Sequence, residues 1–187
     1  MWQNVYTKAD VDGIVSNIDV LDTKQTQALA QLINSGGKNR LNHSAVSQTR
    51  NGVTFTVNAD GTVTANGTAT ANAYITIKSI ASNDEIFDGT YILSGCPAGG
   101  VYQQNYALYS ALGNYTKYDL GDGVILTPSG LTGNISFIIM IYSGYTADNL
   151  VFKPMICKNA YWEMSHEYEP YCPTLYELYQ LVKSYHP

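Results

Sequence analysis

The chain has 187 residues, enough for one domain with a full core plus an appendage, and carries a formal net charge of −5 with only 13% charged residues. That balance disfavours nucleic acid and anionic lipid as partners, since both require a clustered basic surface. The longest apolar run, Phe137 to Tyr142, is far below the roughly 20 residues of a bilayer-spanning helix, and the N-terminus lacks the basic-then-apolar order of a signal peptide, so neither membrane insertion nor export by that route is expected.

Residues 7 to 33 carry a heptad pattern in which Val11, Ile14, Ile18, Leu21, Gln25, Ala28 and Leu32 are separated by alternating steps of three and four, the spacing of a coiled-coil seam. Thr7-Lys-Ala-Asp10 resembles a capping box, and Ser35-Gly36-Gly37 stops the helix. About 27 residues at 1.5 Å each give a helix of roughly 40 Å. Two readings fit it: an amphipathic helix lying on its own domain, or an oligomerising seam in which Gln25 sets register. The narrow stripe favours the second, most simply as a homotrimer. Gly13 weakens the start, so association is expected to need help from the domain that follows.

Lys38 to Gln48 is polar and without periodicity, and reads as a linker settling onto a sandwich edge, with His43 solvated. The period of two then begins. Val53, Phe55 and Val57 alternate with Thr54 and Thr56, Asn58-Ala-Asp-Gly61 supplies a turn, and Thr62 to Thr64 returns. Asn66-Gly67 reads as a second turn, leading to the alternating strand Tyr74 to Ile77. Further strands are predicted over Gly89 to Ser94, around a hairpin turn at Gly113-Asn114, and over Val124 to Thr127. Ile135 to Tyr142 is apolar at both parities, so a central strand covered on both faces is expected there. Asn149 to Cys157 is the last long strand, and Pro154 within it implies an edge or a bulge. Glu167 to Pro173 closes the domain in extended form, and Thr174-Leu-Tyr-Glu177 caps a short terminal helix.

The predicted fold is therefore mainly β, an antiparallel jelly-roll-like β-sandwich over 37–173 of roughly eight strands, with an N-terminal coiled-coil helix over 1–36 and a short C-terminal helix over 174–187. Cys96, Cys157 and Cys172 are odd in number and lack metal-ligand spacing, so buried thiols are expected rather than a zinc site or a disulfide framework. No metal or cofactor is expected. The acidic turn Asp119 to Gly123 lacks the ligand ladder of a calcium loop, and reads, like Asn58 to Gly61, as a plain turn.

No nucleophile with its base and no pair of converging carboxylates is evident, and adjacent His166 and Glu167 point to opposite faces of an extended segment, so no enzyme is predicted. The unusual number is 16 Tyr. Aromatic rings stack on the C–H faces of sugars, which makes Tyr102, Tyr106, Tyr109 and Tyr118, with Trp162 on a separate loop, candidates for saccharide contact. The alternative is that these rings fill the sandwich or pack against a neighbouring subunit.

Four pieces carry a resemblance: Gly36-Gly-Lys-Asn39 after the coiled coil; Asn51 to Thr64 with Asn66 to Thr70; Gly89 to Pro97; and Phe152-Lys-Pro-Met-Ile156 followed by Tyr168-Glu-Pro-Tyr171. In this order they resemble the carbohydrate-binding-module-like β-sandwich of tail-fibre and baseplate proteins from phages and prophages of Gram-positive bacteria. The resemblance implies a virion tail component, made in the bacterial cytoplasm, whose partners are its own copies, other tail or baseplate proteins, and host cell-wall glycan. A purely structural connector without a glycan ligand is the alternative.

Overall fold

The computed structural model describes residues 37–82, 89–128 and 131–174, and Gly36–Cys172 form one compact unit. The predicted seam from Val11 to Leu32 and the predicted C-terminal helix lie outside the described residues. The architecture is mainly β, with eleven strands among the described residues. These are β1 (Gln48–Arg50), β2 (Val53–Val57), β3 (Val63–Thr68), β4 (Ala73–Ala81), β5 (Tyr91–Ser94), β6 (Tyr106–Leu112), β7 (Tyr115–Asp119), β8 (Val124–Leu126), β9 (Asn134–Ile141), β10 (Thr146–Phe152) and β11 (Met155–Lys158). One short helix, α1 (Asn159–Met164), follows.

All pairings are antiparallel, in sheets ordered β1-β2-β3-β10, β4-β9-β6-β7 and β11-β5-β8. The pairs are nested about the β6–β7 hairpin: β5 lies beside β8, β4 beside β9, and β3 beside β10. Alternation supplies the core: Val53, Phe55, Val63, Ala65 and Phe152 from the first sheet meet Ile75, Leu108, Phe137, Ile139 and Ile141 from the second, with Tyr91, Leu93, Leu126 and Ile156 added by the third. Each fully buried Phe contributes about 1.5–3 kcal/mol, so Phe55, Phe137 and Phe152 are leading contributors.

Several expectations are corrected. Asn66-Gly67 is not a turn but lies inside β3. Gly67 has φ 116° and a Cβ there would sit 2.2 Å from the Gly52 carbonyl oxygen, so only glycine fits, and Asn66 Oδ1 accepts the Asn149 amide at 2.7 Å opposite a register shift in β10. The pair that looked like a turn instead accommodates a bulge on its neighbour. β9 is central as expected, but only its Ile135, Phe137, Ile139 and Ile141 face is buried, the other being half-buried. Burial on both faces falls instead to β5 and β11: Tyr91, Leu93 and Ile156 enter the main core, while Ile92, Met155 and Cys157 cluster beneath Trp162 and Tyr168. Cys96 and Cys157 are buried thiols, whereas Cys172 is exposed.

Pro154 breaks the long last strand. β10 pairs with β3 before the break and β11 with β5 after it, so one chain segment changes partner where proline has no N–H to give. Two groups close the gap. Lys153 N donates to Gly95 O at 2.8 Å, and Asn39 Nδ2 donates to Pro154 O at 3.2 Å while its Oδ1 accepts from Leu41 N at 2.8 Å and Ile156 N at 3.2 Å. Residues 38–41 are therefore more than a linker, for Lys38, Asn39 and Leu41 are buried and Arg40 N donates to Ile156 O. His43 is half-buried rather than solvated, with Nε2 3.0 Å from the Gly61 carbonyl oxygen.

Candidate functional site

Strand parity places an aromatic face on the outside of the β4-β9-β6-β7 sheet. Ile75, Ile139 and Leu108 align across it and point inward, so their neighbours point outward: Tyr74, Met140 and Ala107 in one row, and Thr76, Ile138, Tyr109 and Tyr118 in the next. Four strands about 4.8 Å apart make this face roughly 14 Å across. The rings close over it. Tyr109 and Tyr118 stack with centroids 5.3 Å apart and 29° between planes, and Tyr102 leans onto Tyr118 at 4.5 Å and onto Tyr142 at 6.0 Å. Beneath this cover Ala107 is fully buried although it belongs to an outward row.

Tyr102 reaches the face from the loop between β5 and β6, and that loop is tied down. Asn105 Nδ2 donates to Gly99 O at 2.8 Å, its Oδ1 accepts Val101 N at 2.6 Å, and its carbonyl accepts Tyr142 N at 2.8 Å. Gln103, at φ 60°, directs its side-chain amide to the Tyr102 hydroxyl at 3.0 Å. Burial first, and then the neighbouring Tyr102 hydroxyl, holds the Tyr118 phenol well above its ordinary value. Burial also raises Tyr109 and Tyr142. At neutral pH the face therefore presents uncharged hydroxyls at the tips of apolar rings. Tyr102 remains 44% exposed, enough to offer a ring to a ligand.

Of the five aromatic candidates, the fold brings Tyr102, Tyr109 and Tyr118 together and separates the other two. Tyr106 faces inward. Its ring packs against Tyr145 and Phe152, and its hydroxyl donates to Ala98 O at 2.7 Å. Trp162 stands on α1, stacked on His166 at 4.3 Å with 8° between planes. It lines a separate cleft of about 580 Å³ with Ser94, Lys153, Met155, His166 and Tyr168. Sequence reasoning missed Tyr74, Tyr142 and Arg50, whose guanidinium carbon lies 3.5 Å from the Tyr74 ring centroid. Parity alone made Tyr74 outward; which strand would lie beside it was the missing information.

The acidic turns are occupied by their own backbone. Asp60 Oδ1 accepts Thr62 N at 3.0 Å and Thr62 Oγ1 at 2.7 Å, bonds that hold its carboxyl below the ordinary value. Buried Asp119 accepts the amides of Cys96, Gly121 and Gly123 at 2.8, 2.9 and 2.9 Å, while its burial raises the carboxyl. Among the described residues, no group of three His, Cys, Asp or Glu is placed to hold a metal ion, and no helix is long and apolar enough to cross a membrane. Compared with known proteins, the chain matches no family model, no curated protein and no solved structure.

Proposed function

We propose that this chain is a non-enzymatic saccharide-binding subunit of a phage or prophage tail, whose domain is a jelly roll that holds host cell-wall glycan on the tyrosine face. The observation that carries the reading is the gathering of Tyr102, Tyr109 and Tyr118 on one outward sheet face, beside Tyr74 and Tyr142. Ring faces take the C–H surface of a sugar, phenol tips take its hydroxyls, and the tethered loop limits the entropy lost on binding. The nested strand pairs support the jelly-roll topology. The tail context rests on the resemblance set out above, and binding is favoured over catalysis because Asp60 and Asp119 are committed to local hydrogen bonds. A homotrimer formed by the seam from Val11 to Leu32 raises weak single-site affinity by avidity, by factors of about 10² to 10⁴.

The test is retention of the full chain on immobilised Gram-positive cell-wall polysaccharides, with Tyr109→Ala and Tyr118→Ala measured beside Tyr106→Phe. Removing one stacking ring weakens each site roughly three- to tenfold, while Tyr106→Phe, which changes a core hydroxyl, leaves retention intact. Equal retention of all variants, or none by the unaltered chain, favours the connector that contacts only other virion proteins.

A further inference from the structure

The tyrosine face ends in a cation. Arg50 comes from β1, at the edge of the other four-stranded sheet, and lays its guanidinium over Tyr74. Among the described residues no carboxylate pairs with it. Among the described residues, β4, β6 and β9 contain no Asp or Glu, and the one carboxylate of β7, Asp119, is buried. Lys78 and Lys117 pair with Phe137 and Ser110, which belong to the inward rows, so neither adds charge to the outward ones. On a chain of net charge −5, these four strands set no exposed carboxylate against the guanidinium. Tyr74 and Tyr109 flank β9 in adjoining outward rows, opposite Met140 and Ile138, so the cation and the stacked rings share one sheet face.

Resting on the saccharide reading, we infer that the ligand class of this face is an anionic glycan, with the carboxylate or phosphate of one sugar unit held by Arg50 and neighbouring units stacked along Tyr109, Tyr118 and Tyr102. Guanidinium is suited to the task. It is planar, always charged, and presents paired N–H donors that match a carboxylate or a phosphate in a fork. Stacking on Tyr74 fixes the plane of that fork before the ligand arrives, so less freedom is lost on binding. A positively charged polymer gains nothing here, and a neutral one leaves the guanidinium to water.

The test uses the full chain on three immobilised probes: polygalacturonate, its methyl ester, and a phosphomannan. The unaltered chain binds polygalacturonate or phosphomannan about tenfold more tightly than the ester, and whichever of the two is held identifies carboxylate or phosphate as the recognised group. Arg50→Ala removes that tenfold advantage and leaves the ester within twofold, and Arg50→Lys, which keeps the charge but loses the fork, falls between. Raising NaCl to 0.5 M erases the advantage in the unaltered chain and has no such effect in Arg50→Ala. Equal binding of charged and neutral probes, or equal weakening of both by Arg50→Ala with the circular dichroism unchanged, overturns the anionic class while leaving the saccharide reading standing. Failure of all three probes to bind overturns the anionic class, while the saccharide reading stands or falls on retention by the Gram-positive cell-wall polysaccharides.

Discussion

Asn39→Ala tests whether residues 38–41 are structural. The side chain is 2% exposed and makes three hydrogen bonds, accepting from Leu41 N at 2.8 Å and Ile156 N at 3.2 Å and donating to Pro154 O at 3.2 Å. Truncation leaves two amides and a carbonyl unpaired at the point where the last strand changes partner. Each orphaned group costs on the order of 1 kcal/mol or more, so the loss is about 3 kcal/mol, a large share of the roughly 5–15 kcal/mol that holds a domain together. With a urea dependence of about 2 kcal/mol per molar, the midpoint falls by roughly 1.5 M at unchanged slope. Asn39→Asp keeps both acceptor bonds but turns an oxygen toward Pro154 O, and is expected between the two. A loss below about 0.5 kcal/mol for Asn39→Ala would refute the reasoning, since that is the scale of a surface substitution.

Gly67→Ala and Gly113→Ala form a matched pair at positive φ, 116° and 55°. A Cβ at position 113 meets open space, leaving only the left-handed penalty of about 1–2 kcal/mol, whereas at position 67 it meets the Gly52 carbonyl oxygen at 2.2 Å. Thermal unfolding should therefore show the larger loss at Gly67, and equal losses would contradict the close approach of β2 and β3. Alkaline titration provides a third check. Burial pushes Tyr168 up to about 12 and raises Tyr109, Tyr118 and Tyr142, so the folded chain keeps phenolic protons that the unfolded chain, titrating near 10, has released. Stability is then full below pH 10 and declines as pH rises from about 10 to 12. Denaturation midpoints at pH 9, 11 and 12, with phenolate absorbance followed in parallel, should fall in that order; a midpoint independent of pH would count against the burial.

Local signals foretold most of the sheet. Val53, Phe55 and Val57 alternate and are inward, and Gly113-Asn114 closes the β6–β7 hairpin as its chemistry demands. Misreadings arose where a distant partner decided the outcome. Asn66-Gly67 carries the chemistry of a turn, but its glycine was required by Gly52 and its asparagine by Asn149, neither identifiable as a neighbour from local pattern. Asn39 looked like linker because its three partners lie at Leu41, Pro154 and Ile156. The same limit governed the site. Tyr102, Tyr109 and Tyr118 stood in one dense run, so their proximity was legible, while Tyr106 in that run has the opposite parity to Tyr109 and turned inward. Arg50 and Tyr74 meet only because two sheets are brought edge to edge.

The strap that begins at Gly37 meets the segment that closes at Cys172: Gly37 N donates to Cys172 O at 3.3 Å, Lys38 N to Glu169 Oε2 at 3.3 Å, and the Lys38 ammonium to the carbonyls of Ser165 and Glu167. The polypeptide thus enters and leaves its sandwich at one spot. Tension carried along the backbone crosses the domain there, over a few ångströms, and loads these rim bonds in succession before any strand is pulled. Mechanically the sandwich is a pendant rather than a link, spared the shear that falls on a domain whose ends emerge from opposite poles.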